Sequence, residues 1–416
     1  MQHIHTTLLR MIESNERLAL ATLIGTKGST PQITGASALF SAGDPGGETP
    51  RTESPSSETQ RTEAPRTGAL RAGTLGGGLL EAEGEKRALH ALQSGISVMY
   101  ECALMSDIAD PDGAICGGAA VVLIDAHPER HADAFREMAA ALDRSIPGAL
   151  LTCIGRIGGE SVLIARRWVS AADGAIPRDS ELYHDHAAEI TRAIAERKPV
   201  MIDMGDSSSA RALFAEKAPA EKTLAEKTPV EKAPAEKASV EAVTEILLFV
   251  QPAYPRPQLI ITGAGHVGRA LAHYGKLLEF EVTVIDDRPE LAHGGNIPDA
   301  DHFIVDDIGE AVKGLAIRPD SYIVIVNRGH RGDAAALRAC ITSAAAYIGM
   351  IGSKRKIGQM RAKFLQEEWC TPGQFDRVHA PVGLSIDAKT VEEIGISIAA
   401  ELVAERRRQL RGETAP

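Results

Sequence analysis

Aromatic residues are scarce, at 4% of 416 residues, although apolar residues as a whole make up 44%. A core with few large rings must be built from Ala, Val, Ile and Leu, as helix-covered parallel sheets are, so the composition favours an α/β fold. Cysteine is equally sparse. Cys102, Cys116, Cys153, Cys340 and Cys370 are odd in number and form no Cys-x-x-Cys pair, which argues against a disulfide framework and for the reduced thiols of a cytoplasmic protein. No apolar run reaches the roughly 20 residues that a membrane span needs. The first residues place Ile4, Leu8, Met11 and Ile12 on one helical face, unlike the continuous apolar stretch of a leader. Positive charge is not in excess either. The net charge of −11 argues against a general nucleic-acid or anionic-membrane surface.

What is present is organised around residues 257–287. The apolar run Leu259–Thr262 enters a turn carrying Gly263, Gly265 and Gly268, a helical pattern beginning near His266 follows, and a second apolar run is closed by Asp286. This is the strand, glycine turn, helix, strand, acid order of a dinucleotide-binding unit. The glycines allow a tight turn, close approach of a pyrophosphate, and close packing of helix on sheet. The helix N-terminus offers free N–H groups to a phosphate. Asp286 stands where a ribose hydroxyl would be read.

The length suits two domains. An N-terminal mixed α/β domain is expected over 1–252, around a small sheet, with a strand at Leu18–Ile24 and a hairpin of Ala149–Ile154 and Ser161–Arg166. Low-complexity insertions are expected at about 41–72, read as disordered, and at about 207–243, where an Ala-Glu-Lys pentad repeats. The strand-like Thr244–Gln251 lies after the pentads, so the hinge is placed at 253–257 and not in the repeat. A C-terminal Rossmann-like domain, a doubly wound parallel sheet, is expected over 258–416.

Several residues can carry chemistry. Asn327-Arg-Gly-His-Arg-Gly-Asp333 follows a predicted strand, which puts Arg328, His330 and Asp333 where α/β sheets bind ligands. His330 and Asp333 suit a proton relay or a metal pair; alternatively Asp333 caps the next helix. Ser353 and Lys354, in Ile351-Gly-Ser-Lys-Arg-Lys356, suit either a phosphate or a solvated helix start. Gly76, Gly77 and Gly78 let backbone N–H groups approach an anion, whereas Glu81 one turn later would repel it. Cys116, with Gly117 and Gly118, puts a thiol on a glycine-flanked loop, as a thiol that meets a metal or accepts sulfur requires.

Together, Gly25-Thr-Lys-Gly-Ser-Thr-Pro, Gly73-Thr-Leu-Gly-Gly-Gly, Cys116-Gly-Gly, Gly263-Ala-Gly-His-Val-Gly, Asn327-Arg-Gly-His-Arg-Gly-Asp, Tyr347-Ile-Gly-Met-Ile-Gly-Ser-Lys-Arg-Lys and Pro381-Val-Gly-Leu-Ser-Ile resemble the XdhC/CoxI family, accessory factors of xanthine dehydrogenase and related molybdenum hydroxylases. The resemblance implies a cytoplasmic, non-catalytic chaperone that binds molybdenum cofactor (molybdopterin, in its plain or dinucleotide form). It implies protection of that cofactor during sulfuration with a cysteine desulfurase, and delivery to the apo-hydroxylase. It makes Cys116 the candidate for touching molybdenum or its sulfur, and homodimerisation an expectation by analogy. Two other readings stay open: an NAD(P)-dependent oxidoreductase with His330 as acid/base, and a nucleotide-sensing scaffold.

Overall fold

Along Leu18–Lys27 (β1) successive side chains are buried on both faces: Leu18 and Leu20 pack with one set of helices, Ala19, Ala21 and Leu23 with another. That period of two makes the segment a central strand covered on each side. The computed structural model describes residues 2–42, 68–104, 118–171, 183, 185–205, 207–217 and 242–411. These fall into two compact units, Met1–Pro255 and Arg256–Pro416.

In the first unit β1 belongs to a nine-stranded sheet with β2 (Ser37–Ala42), β3 (Gly68–Gly73), β4 (Val98–Ala103), β5 (Ala119–Asp125), β6 (Gly148–Gly158), β7 (Ser161–Ser170), β8 (Val200–Asp203) and β9 (Glu245–Ala253), in the order β3-β2-β1-β5-β4-β7-β6-β9-β8. Every pairing is antiparallel, and β4 meets β7 through Val98 and Ser161 alone. Helix α1 (Gln2–Glu13) buries Ile4, Leu8 and Met11 against α3 (Ala132–Asp143). Helix α2 (Gly78–Ser94) covers the opposite face, and α4 (Ala187–Glu196) and α5 (Ser208–Lys217) cover β6 and β9. Each fully buried Leu or Phe here contributes roughly 1.5–3 kcal/mol. Between the layers Asp125 accepts hydrogen bonds from Arg166 and from the His127 N–H (2.9 Å), with His131 Nε2 at 3.9 Å. Burial alone would raise the Asp125 pKa, but Arg166, His131 and the His127 bond hold it below the usual carboxylate range.

The second unit is a six-stranded parallel sheet of β10 (Gln258–Thr262), β11 (Glu281–Asp286), β12 (His302–Val305), β13 (Ser321–Ile325), β14 (Tyr347–Met350) and β15 (Val378–His379), in the order β12-β11-β10-β13-β14-β15. Leu259, Ile261, Tyr322 and Val324 face α6 (His266–Leu277) and α11 (Val391–Leu410). Ile260, Ile323 and Ile325 face α7 (Ile308–Lys313), α8 (His330–Cys340), α9 (Lys354–Gln366) and α10 (Pro372–Asp376). Both faces are covered, as a doubly wound α/β sheet requires. The α/β class and the Rossmann-type second unit expected from the sequence are therefore observed.

Several expectations are corrected. The first unit's sheet is large, not small. Of the stretch read as disordered, Ser41 and Ala42 end β2 and Gly68–Ala72 belong to β3, which pairs along β2 through backbone hydrogen bonds that need few apolar side chains. Residues 43–67 lie outside the described part. The stretch 207–243 begins as a packed helix, α5, with Ala210 and Phe214 buried; residues 218–241, most of the pentads, lie outside the described part. Gly155–Gly158, expected to be a connecting loop, continues β6, and the hairpin turns at Gly159 and Glu160. The strand at Thr244–Gln251 is β9, seated between β6 and β8, and it runs to Ala253 within the expected hinge.

Candidate functional site

Strand β10 is flanked by β11 on one side and β13 on the other, so the chain reverses direction across the sheet at its carboxyl end. Such switch points are where α/β sheets hold ligands. Gly263 leaves β10 with φ +111°, and a Cβ there would stand 2.6 Å from the Val326 carbonyl oxygen. Gly268, inside α6, faces the same turn: its Cβ would lie 1.9 Å from the Gly263 carbonyl oxygen. Gly265, the N-cap of α6, has extended backbone at φ −75° and nothing within 4 Å of a Cβ. The protein's own packing demands the first and third glycines of the motif. Beside Gly265 there is open space at a helix N-terminus, as an approaching phosphate needs.

Asp286 lies at the end of β11 as expected, but its carboxylate is engaged. Oδ2 accepts from the Ala264 N–H (2.7 Å) and Arg288 Nη2 (2.9 Å), and Oδ1 from Arg288 N (3.0 Å) and Nε (2.8 Å). Burial would raise its pKa, yet these bonds hold it below the ordinary range. In this arrangement Asp286 fixes the glycine turn, and reading a ribose would require Arg288 to leave.

The ends of β10, β13 and β14 are joined by a polar chain that sequence reasoning missed. Asn327 Nδ2 donates to Thr262 Oγ1 (2.9 Å), the Asn327 N–H donates to Asp333 Oδ1 (3.2 Å), and Lys356 Nζ donates to Asp333 Oδ2. Asp333 is fully buried, and burial raises its pKa despite the Lys356 and Asn327 bonds. It therefore neither caps α8, whose N-cap is Gly329, nor pairs with His330 among the described contacts. Arg328, His330 and Lys354 are exposed at the carboxyl ends of β13 and β14. Ser353 caps α9 by accepting from the Lys356 N–H (3.3 Å), the plain helix-start role.

In the first unit, three motifs meet at one end of the sheet. Ala119 pairs with both Lys27 and Ala103. A Cβ on Gly118 would stand 2.3 Å from the Ser29 carbonyl oxygen, and one on Gly76 2.9 Å from Pro31. Glu81 occupies the glycine turn: its Oε2 accepts from Thr74 Oγ1 (2.6 Å), Leu75 N (3.2 Å) and Gly77 N (3.1 Å). The N–H groups of Leu75 and Gly77 already hold a carboxylate, so Gly76–Gly78 is poorly suited to a phosphate. Cys116 and Gly117 lie outside the described residues. Cys102, Cys153 and Cys340 are buried core thiols, and burial pushes Cys153 and Cys340 up to about 12.

Two more features are not anticipated by any motif. A cleft of about 450 Å³ opens beside α6, lined among others by His266, Arg269, His273, Asn296, Asp299 and Glu392. Near the Pro381 motif, Glu401 accepts from Tyr347 Oη (2.7 Å) and Gly383 N (2.6 Å) and bonds His379 Nδ1 (2.9 Å). Burial would raise the Glu401 pKa, but these partners hold it below the usual range. Its stabilisation is then complete above the unfolded carboxylate pKa and is lost as pH falls through the lower folded value. Urea midpoints measured between about pH 7 and pH 3 should fall more steeply on acidification in the parent than in Glu401→Gln; parallel curves would remove Glu401 from the acid response.

These features define a two-unit α/β protein with a Rossmann-type second unit. Residues 259–402 match the XdhC Rossmann domain, and the chain belongs to the XdhC family. It is 35% identical over 157 residues to YqeB, an uncharacterized protein of Escherichia coli (strain K12), which is 38% of this chain and 28% of YqeB. It is 30% identical over 161 residues to a Bacillus subtilis (strain 168) protein named as a probable xanthine dehydrogenase subunit, 39% of this chain and 46% of the relative. The chain thus spans less than half of either relative. A crystal structure of a xanthine dehydrogenase from Bacillus halodurans shares the fold, with TM-score 0.65 and 22% identity over 97% of this chain and 96% of that one. Among the described residues, no helix is long and apolar enough to cross a membrane.

Proposed function

We propose that this protein is a maturation factor for a xanthine dehydrogenase-type molybdenum hydroxylase: it binds molybdenum cofactor, shields it during sulfuration and hands it to the apo-enzyme. The observation that carries the reading is the open space at Gly265 beside the α6 N-terminus, with exposed Arg328, His330 and Lys354 at the neighbouring strand ends. Such a site suits the phosphate of molybdopterin, or the pyrophosphate of its dinucleotide form. The name of the Bacillus subtilis relative supports the client class. The bound cofactor supplies the molybdenum centre on which the client's chemistry runs. This chain's part is to hold the phosphate, exclude water and, through the Cys116 thiol, meet the metal or its sulfur. A cysteine desulfurase as sulfur donor, a cytoplasmic location and a homodimer belong to the same proposal.

The same turn also fits NAD(P), but the engagement of Asp286 by Arg288 disfavours ordinary ribose recognition. Fluorescence assays of molybdopterin, NAD(H) and NADP(H) retained by the purified protein separate the readings. Molybdopterin is expected to be retained. Gly265→Val, which fills the open space, should weaken that binding by roughly 100-fold, or about 2.7 kcal/mol. Cys116→Ser should fold normally and support little active co-expressed hydroxylase. Retention of NAD(H) without molybdopterin would replace this function with the oxidoreductase reading.

A further inference from the structure

The cleft beside α6 is unrelated to any motif read from the sequence, and its two walls differ in charge. On one wall His266 and Arg269 lie one helical turn apart at the positive end of α6, and Arg269 has no carboxylate partner among the described residues. On the other wall stand Asp299 and Glu392. His273 Nδ1 contacts Asp299 Oδ2 at 3.0 Å, which leaves the Glu392 carboxylate as the acceptor without a described partner. The cleft is also lined by Tyr274, Ile297 and Pro298, so its middle is apolar and partly aromatic. At about 450 Å³ it falls within the roughly 300–1,000 Å³ of small-molecule sites.

The cleft begins where the glycine turn ends. His266 is the first residue of α6. Asn296 Nδ2 donates to the Leu291 carbonyl (2.8 Å) and, more weakly, to the Ala264 carbonyl (3.4 Å), which fastens the cleft's loop to the turn. At the end of β11, by contrast, the ribose-reading position is closed: Asp286 is 2% exposed and held by Arg288. The open volume next to the turn therefore lies along α6 and not over β11.

We infer that this cleft is a nucleotide site that takes a nucleoside monophosphate, free or as one end of a larger ligand. The phosphate meets Arg269 and His266, the base lies against Tyr274 and Pro298, and N–H or hydroxyl donors of base or ribose reach Glu392. An anionic end, a flat middle and a donor-bearing far end are the features that these walls select. The inference needs only nucleotide chemistry, so it stands or falls separately from the molybdenum reading.

The test titrates the full-length protein with CMP, GMP, AMP and inorganic phosphate by calorimetry, and follows hydrogen exchange of residues 266–277 and 391–400 with each ligand. At least one nucleotide should bind and protect both segments, a result that binding at the glycine turn alone would not give for 391–400. Arg269 is exposed, so Arg269→Ala should fold, and it should weaken nucleotide and phosphate alike by roughly tenfold or more. Glu392→Gln should weaken the nucleotide several-fold and leave phosphate unchanged. Comparing a mononucleotide with NAD separates a free ligand from the end of a dinucleotide. Absence of protection in both segments at millimolar nucleotide, or unchanged nucleotide affinity in Arg269→Ala, overturns the inference. Phosphate binding as tightly as every nucleotide overturns its nucleoside part.

Discussion

Gly268→Ala is expected to destabilise the C-terminal unit by roughly 3–5 kcal/mol, whereas Gly265→Ala, three residues earlier, should change its stability by no more than about 0.5 kcal/mol. Helix propensity points the other way, since Ala at an interior helical position is worth about 1 kcal/mol over Gly. Geometry decides. The added Cβ at position 268 would lie 1.9 Å from the Gly263 carbonyl oxygen, which is backbone. Gly263 cannot move aside, because its own left-handed conformation is pressed against Val326 at the end of β13. Relief would therefore require α6 to lift from the sheet, exposing Leu271 and Ala272, both fully buried. At position 265 the backbone is extended and no atom lies within 4 Å, so a methyl group fits. Urea denaturation followed by circular dichroism checks the pair. Equal midpoints for Gly268→Ala and the parent would show that the turn is looser than its contacts require.

That contrast shows how far sequence alone reaches. The unit β10–α6–β11 is legible because three glycines at fixed spacing between two apolar runs have few structural solutions. The roles within the motif are only half legible: the spacing distinguishes neither which glycine is demanded by packing nor which faces open space. The position of Asp286 is legible too, but the arginine two residues on that closes it needs a side-chain path that no pattern reports. Charge at Glu81 suggests a residue that repels an anion from its turn, and it is itself the anion the turn holds. Strand β15, two residues long, is too short for any period, which hides the sixth strand and the Glu401 cluster beside it. In the first unit, α5 is hidden because Ser208–Lys217 shades into the Ala-Glu-Lys repeat. Its burial depends on Ala210 and Phe214 alone.

Lys356 is the sharpest case of a residue whose type is plain in the sequence and whose role is not. As the last of three cations in Ile351-Gly-Ser-Lys-Arg-Lys, it has the charge to meet a phosphate. Its ammonium instead donates to Asp333, a carboxylate with no solvent exposure. Removing one partner of a buried pair costs roughly 3–5 kcal/mol, because the other charge is left without compensation. Lys356→Met is therefore expected to destabilise the C-terminal unit by about that amount near neutral pH, whereas Lys354→Met, at an exposed position, should stay within about 0.5 kcal/mol of the parent. The loss should depend on pH with a definite sign. Burial already raises the Asp333 pKa against the pull of Lys356, and without the ammonium it must rise further. A folded acid with a raised pKa binds its proton more tightly than the unfolded chain does. Its contribution to stability then falls as pH climbs from the unfolded value towards the folded one. The gap between Lys356→Met and the parent should accordingly be small near pH 4 and widen towards about pH 7. Asp333→Asn combined with Lys356→Met removes both charges and should recover most of the loss at pH 7. A gap that stays constant over the whole range, or a double variant no more stable than Lys356→Met, would mean that Lys356 acts through packing of its aliphatic stem and not through its charge.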